Sequence, residues 1–434
     1  MSPCDQFADL GVQPRMSGKL KVVGLGYVGL PMAVEACRAG LTVTGFDISP
    51  NVVEGLNTGR SHVDDVTDDD VLAMRGCGFV ATADPSDLGD TDVFVICVPT
   101  PLSEDGVPDL SAVIDASKMV AIGLRPGCLV VLESTTYPGT TDEVVRPLLE
   151  LGSGLSAGVD FSLAYSPERI DPGNPVYGLR NTPKVVGGLT QACTDRAVEF
   201  YGEIVDNVVP TVGLGEAELA KLLENTYRHV NIALMNELAV FCHELGIDLW
   251  AAIEAAKTKP FGFEAFYPGP GVGGHCIPID PNYLSWIVRS IGHRFRFVEL
   301  AQEISGGMPS YIAKRIQDSL NSVCKSVKGS TVLLLGVTYK EDVRDQRETP
   351  ALLLATQLCE MGAEVFFFDP YVEQFSAGGH SIPSIDDLEM FASKCDLAVL
   401  VQAHQEILKS SFLGAYARIL DTRGVLKGNN VERL

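Results

Sequence analysis

The stretch "YPGPGVGGHCIPIDP", Tyr267 to Pro281, sets one thiol, Cys276, among four glycines and four prolines, with Asp280 four residues further on. Glycine and proline punctuate turns, so this is a shaped loop rather than the interior of a strand or helix. A thiolate held in such a loop is a candidate nucleophile, set against the ordinary use of cysteine as a small buried hydrophobe. A second group lies in "GEAELAKLLENTYRHVNIALMNELAVFCHELGI", Gly215 to Ile247, which has helical composition throughout. At 100° per residue Glu218, Lys221, Asn225 and Arg228 fall within one arc of roughly 80°, with Leu219, Leu223, Val230 and Leu234 opposite and expected to face a core. A charged stripe is ordinarily a solvated face. Lys, Asn and Arg on so acidic a chain also suit a cleft for an anion, and a helix this long suits a dimer interface or an interdomain spine.

The elements around these groups are set by 434 residues, too many for a single core, so two or three domains are expected. Lys and Arg total 33 against 56 Asp and Glu, a net charge of −23, which argues against nonspecific nucleic-acid binding. Any anionic ligand must therefore be held by locally placed cations. No apolar run reaches the ~18–20 residues of a membrane helix, so no membrane association is expected. The opening "MSPCDQFADLGVQPRMSGK" has no apolar core and reads as a short extension over residues 1–18, with Met16 as an alternative start to Met1. Eleven scattered cysteines without a CxxC pair, and no HExxH, point to a reducing cytoplasm and to no metal site.

"KLKVVGLGYVGLPMAVEACRAGLTVTGFDIS" reads as strand Leu20–Val23, a Gly24-x-Gly26-x-x-Gly29 turn, a helix stopped by Gly40, and strand Leu41–Phe46 closed by Asp47. The glycines allow a tight turn and close approach of a pyrophosphate to a helix N-terminus, and the acid suits ribose hydroxyls. Ile48, Ser49, Pro50 and Asn51 follow Asp47 with no Arg or Lys for a 2′-phosphate, which favours NAD over NADP. Buried strands within Thr91–Pro101 and Gly127–Thr141 leave Thr100 and Thr135 at carboxyl ends, where they either touch ligand or merely cap the strands. "GSTVLLLGVTYKEDVRDQRETPALLLATQLCEMGAEVFFFDP", Gly329 to Pro370, repeats strand, turn, helix and strand with a single turn glycine, Gly336. A second dinucleotide is not expected there. Lys340, Arg344 and Arg347 ahead of a helix suit a phosphate-bearing group, and Arg423 ends a later strand.

Together these residues resemble the UDP-glucose/GDP-mannose dehydrogenase family. "GLGYVGLP", "ESTTYPGTT", "SPERIDPGN", "ELAKLLENTYR" and "GPGVGGHCIPIDP" match in order, and "GVTYKEDVRDQRETP" extends the match. The resemblance implies an α/β chain: a doubly wound Rossmann domain for NAD (19–212), a central helical dimerisation domain with a long helix (213–312), and a Rossmann-like UDP-sugar domain (313–434). It implies that Cys276 attacks the aldehyde from a first oxidation of a sugar C6 alcohol, giving a thiohemiacetal that is oxidised to a thioester and hydrolysed. Lys221 and Asn225 would stabilise the oxyanion, and Asp280, Glu168 and Thr135 would serve the hydrolytic water. Gly24, Gly26, Tyr27, Val28, Gly29, Asp47, Thr100 and Thr135 would line the NAD site. Glu168, Arg169, Ile170, Lys221, Asn225, Arg228, Tyr267, Gly273, Tyr339, Lys340, Arg347 and Arg423 would engage the UDP-sugar. A homodimer or higher homo-oligomer is implied.

Two departures bear on the sugar. Ile279 stands where members acting on UDP-glucose often carry Lys, and "PERIDPG" replaces "PEFLxEG", with Asp171 only approximating the second acid. With "TKPFGFEAFYPGPG" they resemble the branch acting on UDP-N-acetylated hexosamines, UDP-N-acetylglucosamine above all, with UDP-N-acetylmannosamine and UDP-glucose as alternatives. A simpler 3-hydroxyacid-type dehydrogenase would need neither Cys276 nor a third domain, and a non-catalytic NAD-sensing protein would need no nucleophile loop.

Overall fold

The computed structural model describes residues 18–434 apart from Glu104, Asp105, Pro172, Pro175, His275, Cys276 and Ser410. The expected nucleophile Cys276, and the N-terminal extension with its two candidate starts, thus lie outside the described residues. Two compact units form, one from the residues up to Glu224 with Asn282–Ile291, the other from Asn225–Pro281 with Gly292–Leu434.

The first unit is built on eight strands: β1 (Lys19–Val23), β2 (Thr42–Phe46), β3 (Val80–Thr82), β4 (Val93–Ile96), β5 (Leu129–Leu132), β6 (Ser162–Tyr165), β7 (Lys184–Gly188) and β8 (Val208–Pro210). Their order is β3-β2-β1-β4-β5-β6-β7-β8, parallel except for the β6–β7 pair. β4 and β5 are buried at every position, as strands covered on both faces must be. The winding reverses between β1 and β4, and ligands of such sheets bind beyond the strand ends at that switch point. The predicted β1 and β2 agree with the structure to within one residue.

The second unit carries β9 (Thr331–Leu335), β10 (Glu364–Phe368), a hairpin of β11 (Phe375–Ala377) and β12 (His380–Ile382), then β13 (Leu397–Leu400), β14 (Ile419–Asp421) and β15 (Val431–Arg433). The main sheet runs β10-β9-β13-β14-β15, all parallel, again with a reversal beside its first strand. The first turns of the two sheets correspond closely. Gly24 N donates to Phe46 O and Gly336 N to Phe368 O, each at 2.8 Å. Asp47 accepts from the amides of Leu25 and Ser49, and Asp369 from those of Val337 and Tyr371. The difference lies outside the backbone. Asp369 is buried and also meets His404 Nε2 at 3.1 Å, whereas Asp47 is only half-buried. His404 Nδ1 accepts the Asp342 amide at 2.9 Å, so the ring proton sits on Nε2 and is donated toward Asp369.

The long helix, Leu214–Leu245, corrects the amphipathic expectation. Leu219, Leu223 and Leu234 do not face a core; with Tyr227, Phe241 and Leu245 they form a stripe of side chains 41% to 71% exposed, and Val230 is half-buried. The buried face instead carries Glu218, Lys221, Thr226, His229 and Asn236 among small residues such as Ala217, Ala233 and Ala239. Two of these polar side chains go inward because they meet specific backbone. Glu218 accepts from Gly139 N, Thr141 N and Thr141 Oγ1 at 2.6–2.9 Å, and Asn236 Oδ1 accepts Gly269 N at 2.9 Å. Such matching offsets the penalty of burying them. The solvated reading therefore fails for Glu218 and Lys221 and holds for Arg228, which is exposed.

The glycine-rich loop is packed where no side chain fits. A Cβ on Gly273 would lie 2.6 Å from Glu348 O and 2.8 Å from Tyr339 Cβ, and one on Gly274 would lie 2.6 Å from the Tyr339 ring. Gly274 N donates to Arg347 O at 3.1 Å, and Gly274 itself adopts φ +86°. Gly273→Ala should therefore push the loop off the Tyr339–Glu348 turn. Thermal and denaturant unfolding should show a loss of about 1–3 kcal/mol. Turnover should fall roughly tenfold or more, since small displacements of reacting groups are costly. Wild-type stability in the alanine variant would show that the turn yields without cost.

Candidate active site

At the carboxyl end of β1 the chain has room only for glycine. Gly24 takes φ +91°, and a Cβ there would stand 2.6 Å from Cys97 O. A Cβ on Gly29 would overlap Gly24 O, so the helix Gly29–Arg38 starts hard against the turn. Gly26, between them, meets nothing within 4 Å, leaving open space over the turn. Val28 stands at the helix N-cap without a side-chain cap among the described residues, and Tyr27 beside it is exposed. Open space over a turn that leads into a helix N-terminus, beside a pinned acid, Asp47, fits a dinucleotide pyrophosphate and ribose. The structure thus brings Gly24, Gly26, Tyr27, Val28, Gly29 and Asp47 to one turn.

Thr100 and Thr135 meet beyond β4 and β5. Thr100 Oγ1 donates to Thr135 O at 2.8 Å, and Tyr283 Oη donates to Thr100 O. Thr100 is buried and Thr135 half-buried, so only the latter keeps appreciable access. Past the end of β6, Glu168 is held tightly: Oε1 accepts the amides of Arg169 at 2.7 Å and Ile170 at 2.6 Å, and Oε2 lies 3.5 Å from Lys184 Nζ. Lys184 in turn pairs with Glu133 at 3.1 Å. Burial raises the Glu133 carboxyl above its usual range, partly offset by the ammonium. Burial works to lower Lys184, but Glu133 and Glu168 outweigh it and hold the ammonium above its ordinary value. Arg169 is committed to Glu224, at 2.6 Å, and to Pro183 O. Glu133 and Lys184 were not anticipated. The available signal was a lone acid closing the apolar run "LVVLE" and a lone base opening "KVVGG".

In the second unit Asn225 Nδ2 donates to Asp280 Oδ2, which joins two predicted site residues directly; Asp280 is buried. Tyr267 stacks on Trp250, ring centroids 5.7 Å apart and 13° from parallel, and its hydroxyl donates to Glu254. Gly273 abuts Tyr339, and Gly269 abuts Arg423, whose Nη1 would stand 3.2 Å from an added Cβ. Arg423 Nε donates to Val401 O, and burial lowers its guanidinium to about 10 against the pull of Glu341 and Asp421. A partly buried guanidinium held in place by the main chain is a preorganised site for an anion. Lys340 is half-buried on the same turn, its carbonyl accepting from Thr338 Oγ1. Arg347 is forked onto Asp345 at 2.5–3.0 Å and remains largely exposed. The structure thus gathers Gly273, Tyr339, Lys340, Arg347 and Arg423 around one loop and turn, while His275 and the expected nucleophile Cys276 lie outside the described residues. Among the described residues no His, Cys, Asp and Glu group could hold a metal ion, and no helix is long and apolar enough to cross a membrane.

Comparison with known proteins matches three models of one family in chain order. These are the NAD binding domain of the UDP-glucose/GDP-mannose dehydrogenase family at residues 18–205, its central domain at 215–305 and its UDP binding domain at 333–429. A UDP-N-acetyl-D-glucosamine 6-dehydrogenase of Pseudomonas aeruginosa is 38% identical over 82% of this chain and 83% of its own. A UDP-N-acetyl-D-mannosamine dehydrogenase of Pyrococcus horikoshii is 35% identical over 94% of this chain and 96% of its own. The solved structure of a UDP-D-ManNAc dehydrogenase from that organism superimposes with a TM-score of 0.88 at 33% identity, covering 96% of this chain and 98% of that one. The third match, at 333–429, has no counterpart in a 3-hydroxyacid-type dehydrogenase of one Rossmann and one helical domain. With the glycine turn and the Arg423 loop in place, the chain belongs to the UDP-glucose/GDP-mannose dehydrogenase family of NAD-dependent, UDP-sugar-oxidising enzymes.

Proposed function

We propose that the chain oxidises the C6 alcohol of a UDP-N-acetylhexosamine, UDP-N-acetylglucosamine in the first place, to the uronate. The observation that carries the sugar class is the pair of departures at Ile279 and "PERIDPG", in a chain with relatives named for N-acetylated sugars. One alcohol, two NAD⁺ and one water give one carboxylate, two NADH and three protons, and the dinucleotide at Gly24–Gly29 and Asp47 supplies the hydride acceptor. The chain's own residues do the rest. The Cys276 thiolate adds to the C6 aldehyde, and Lys221 and Asn225 steady the oxygen that becomes negative. After the second oxidation a water oxygen adds to the thioester carbonyl. Glu168 takes its proton, the C–S bond breaks, and sulfur leaves as thiolate. Thr135 and Asp280 orient the water, the latter through its bond to Asn225. Arg228, Arg423, Lys340 and Arg347 meet the diphosphate and sugar, Arg347 by exchanging Asp345 for phosphate.

The working unit we propose is a homodimer in the cytoplasm. The stripe from Leu219 to Leu245 extends about 39 Å along one helix at ~1.5 Å per residue, and apolar faces of that size are covered in functional assemblies. A second copy presents the same stripe, which makes the contact self-complementary. Leu223→Glu combined with Phe241→Glu should therefore yield monomers in sedimentation and light-scattering measurements; an unchanged mass would place the contact elsewhere.

Cys276→Ser should lose uronate formation by at least about 10²-fold while binding of the UDP-sugar is retained, because a serine hydroxyl is a far poorer nucleophile at neutral pH. Two NADH per sugar are expected from the wild type, and uronate at the normal rate from the serine variant would refute the covalent route. Across UDP-N-acetylglucosamine, UDP-N-acetylmannosamine and UDP-glucose, the first should give the highest kcat/KM, exceeding UDP-glucose roughly tenfold to a hundredfold, since a pocket made for the acetamido group leaves polar groups unmet with glucose. A preference for UDP-glucose would overturn the sugar class; one for the manno epimer would change only the C2 configuration.

A further inference from the structure

A lysine with a side chain 4% exposed, on a strand inside an α/β sheet, calls for an explanation, because a buried ammonium is costly unless closely paired. Lys184 opens β7 at the edge where β5 and β6 end. Its Nζ stands 3.1 Å from Glu133 Oε1, 3.5 Å from Glu168 Oε2 and 5.3 Å from the centre of the Tyr201 ring. Glu133 is fully buried at the end of β5, accepts the Tyr201 hydroxyl on Oε1, and has Cys97 Sγ 3.9 Å from Oε2. Among the described residues the charged and titratable groups around the ammonium are thus Glu133, Glu168, Tyr201 and Cys97.

The arrangement is graded from inside to outside. Glu133 is sealed in, Lys184 nearly so, and Glu168 reaches the surface with its side chain 12% exposed. A Lys184–Glu133 pair would be neutral and complete as a structural device. A second carboxylate 3.5 Å from the same ammonium makes the cluster net negative, which a purely structural pair has no need of. Glu168 is also restrained from its other side, where Oε1 takes two backbone amides. Both of its oxygens are thereby fixed, one by the main chain and one by a buried cation.

We propose that Lys184, anchored by Glu133, is a positioning residue that holds the Glu168 carboxylate in one orientation. The inference rests on the reading of Glu168 as the group that takes the proton of the hydrolytic water. With the ammonium removed, Oε2 loses its partner and the carboxylate is no longer aimed at one place, a displacement that is costly for a group taking a proton. The hydride steps do not need that base, so the loss falls on hydrolysis and the Cys276 thioester builds up.

The test uses the full-length enzyme with UDP-N-acetylglucosamine and NAD, or whichever of the three UDP-sugars it turns over best. Lys184→Met, Glu168→Gln and the double variant Glu133→Gln/Lys184→Met are compared with wild type. The double variant removes the buried charges together, so that no unpaired Glu133 carboxylate is left buried. The readouts are kcat, KM for the sugar, the mass of acid-quenched enzyme, and the unfolding temperature. In whichever lysine variant folds, we expect kcat to fall about tenfold to a hundredfold with KM within about twofold. We also expect an acyl-enzyme mass to accumulate. If Glu168→Gln neither slows turnover nor traps acyl-enzyme, the role assigned to Glu168 fails. If it traps acyl-enzyme while the lysine variants keep the wild-type kcat and leave no adduct, the inference about Lys184 alone fails. A lowered unfolding temperature with no acyl-enzyme adduct, or failure of both lysine variants to fold, would assign the residue to stability and overturn it.

Discussion

The constraint on which the second unit's site turns is steric. Gly273 and Gly274 sit where the Tyr339 side chain and the Glu348 carbonyl leave no volume for a Cβ, and Gly269 lies against the Arg423 guanidinium. Because the loop cannot carry side chains there, its backbone can lie directly on the turn that holds Lys340 and Arg347. Residues 269 and 339 to 348, distant in sequence, are thereby fixed to one another. A buried asparagine completes the restraint by holding Gly269 N from the long helix. At these glycines there are no rotamers to lose, so the main chain alone sets the loop's position.

The parts legible in the sequence are those in which local spacing and three-dimensional demand coincide. Gly24, Gly26, Gly29 and Asp47 belong to one strand–turn–helix–strand unit, and the structure reproduces it nearly residue for residue. The second sheet's lack of a glycine fingerprint was equally readable. Pairings across strands escaped. Glu133, Lys184 and Tyr201 come together only because β5, β6 and β7 are neighbours, with β7 antiparallel to β6, and nothing local announces that order. Short β8 and the β11–β12 hairpin lack the length that marks strands in a pattern reading.

The long helix misled for a related reason. Helical periodicity separates two faces without saying which is inside, and the usual assumption puts leucines there. Here Glu218 and Asn236 satisfy buried amides, Lys221 is buried on the same face, and the leucines face outward. The inversion withholds the apolar face from the chain's own core, which is the observation behind the proposed dimer.

The two first turns, one at Asp47 and one at Asp369, have a consequence for how one chain separates two nucleotides. Their backbones are wired alike, down to the amides each acid accepts. In the second, an imidazole pinned by Asp342 N draws the carboxylate inward, and the acid that would greet a ribose is consumed inside the unit. Discrimination between the ends is then a matter of internal occupancy rather than of shape. A duplicated architecture need not be rebuilt to change its ligand if a single neutral ring can silence its recognition group from behind.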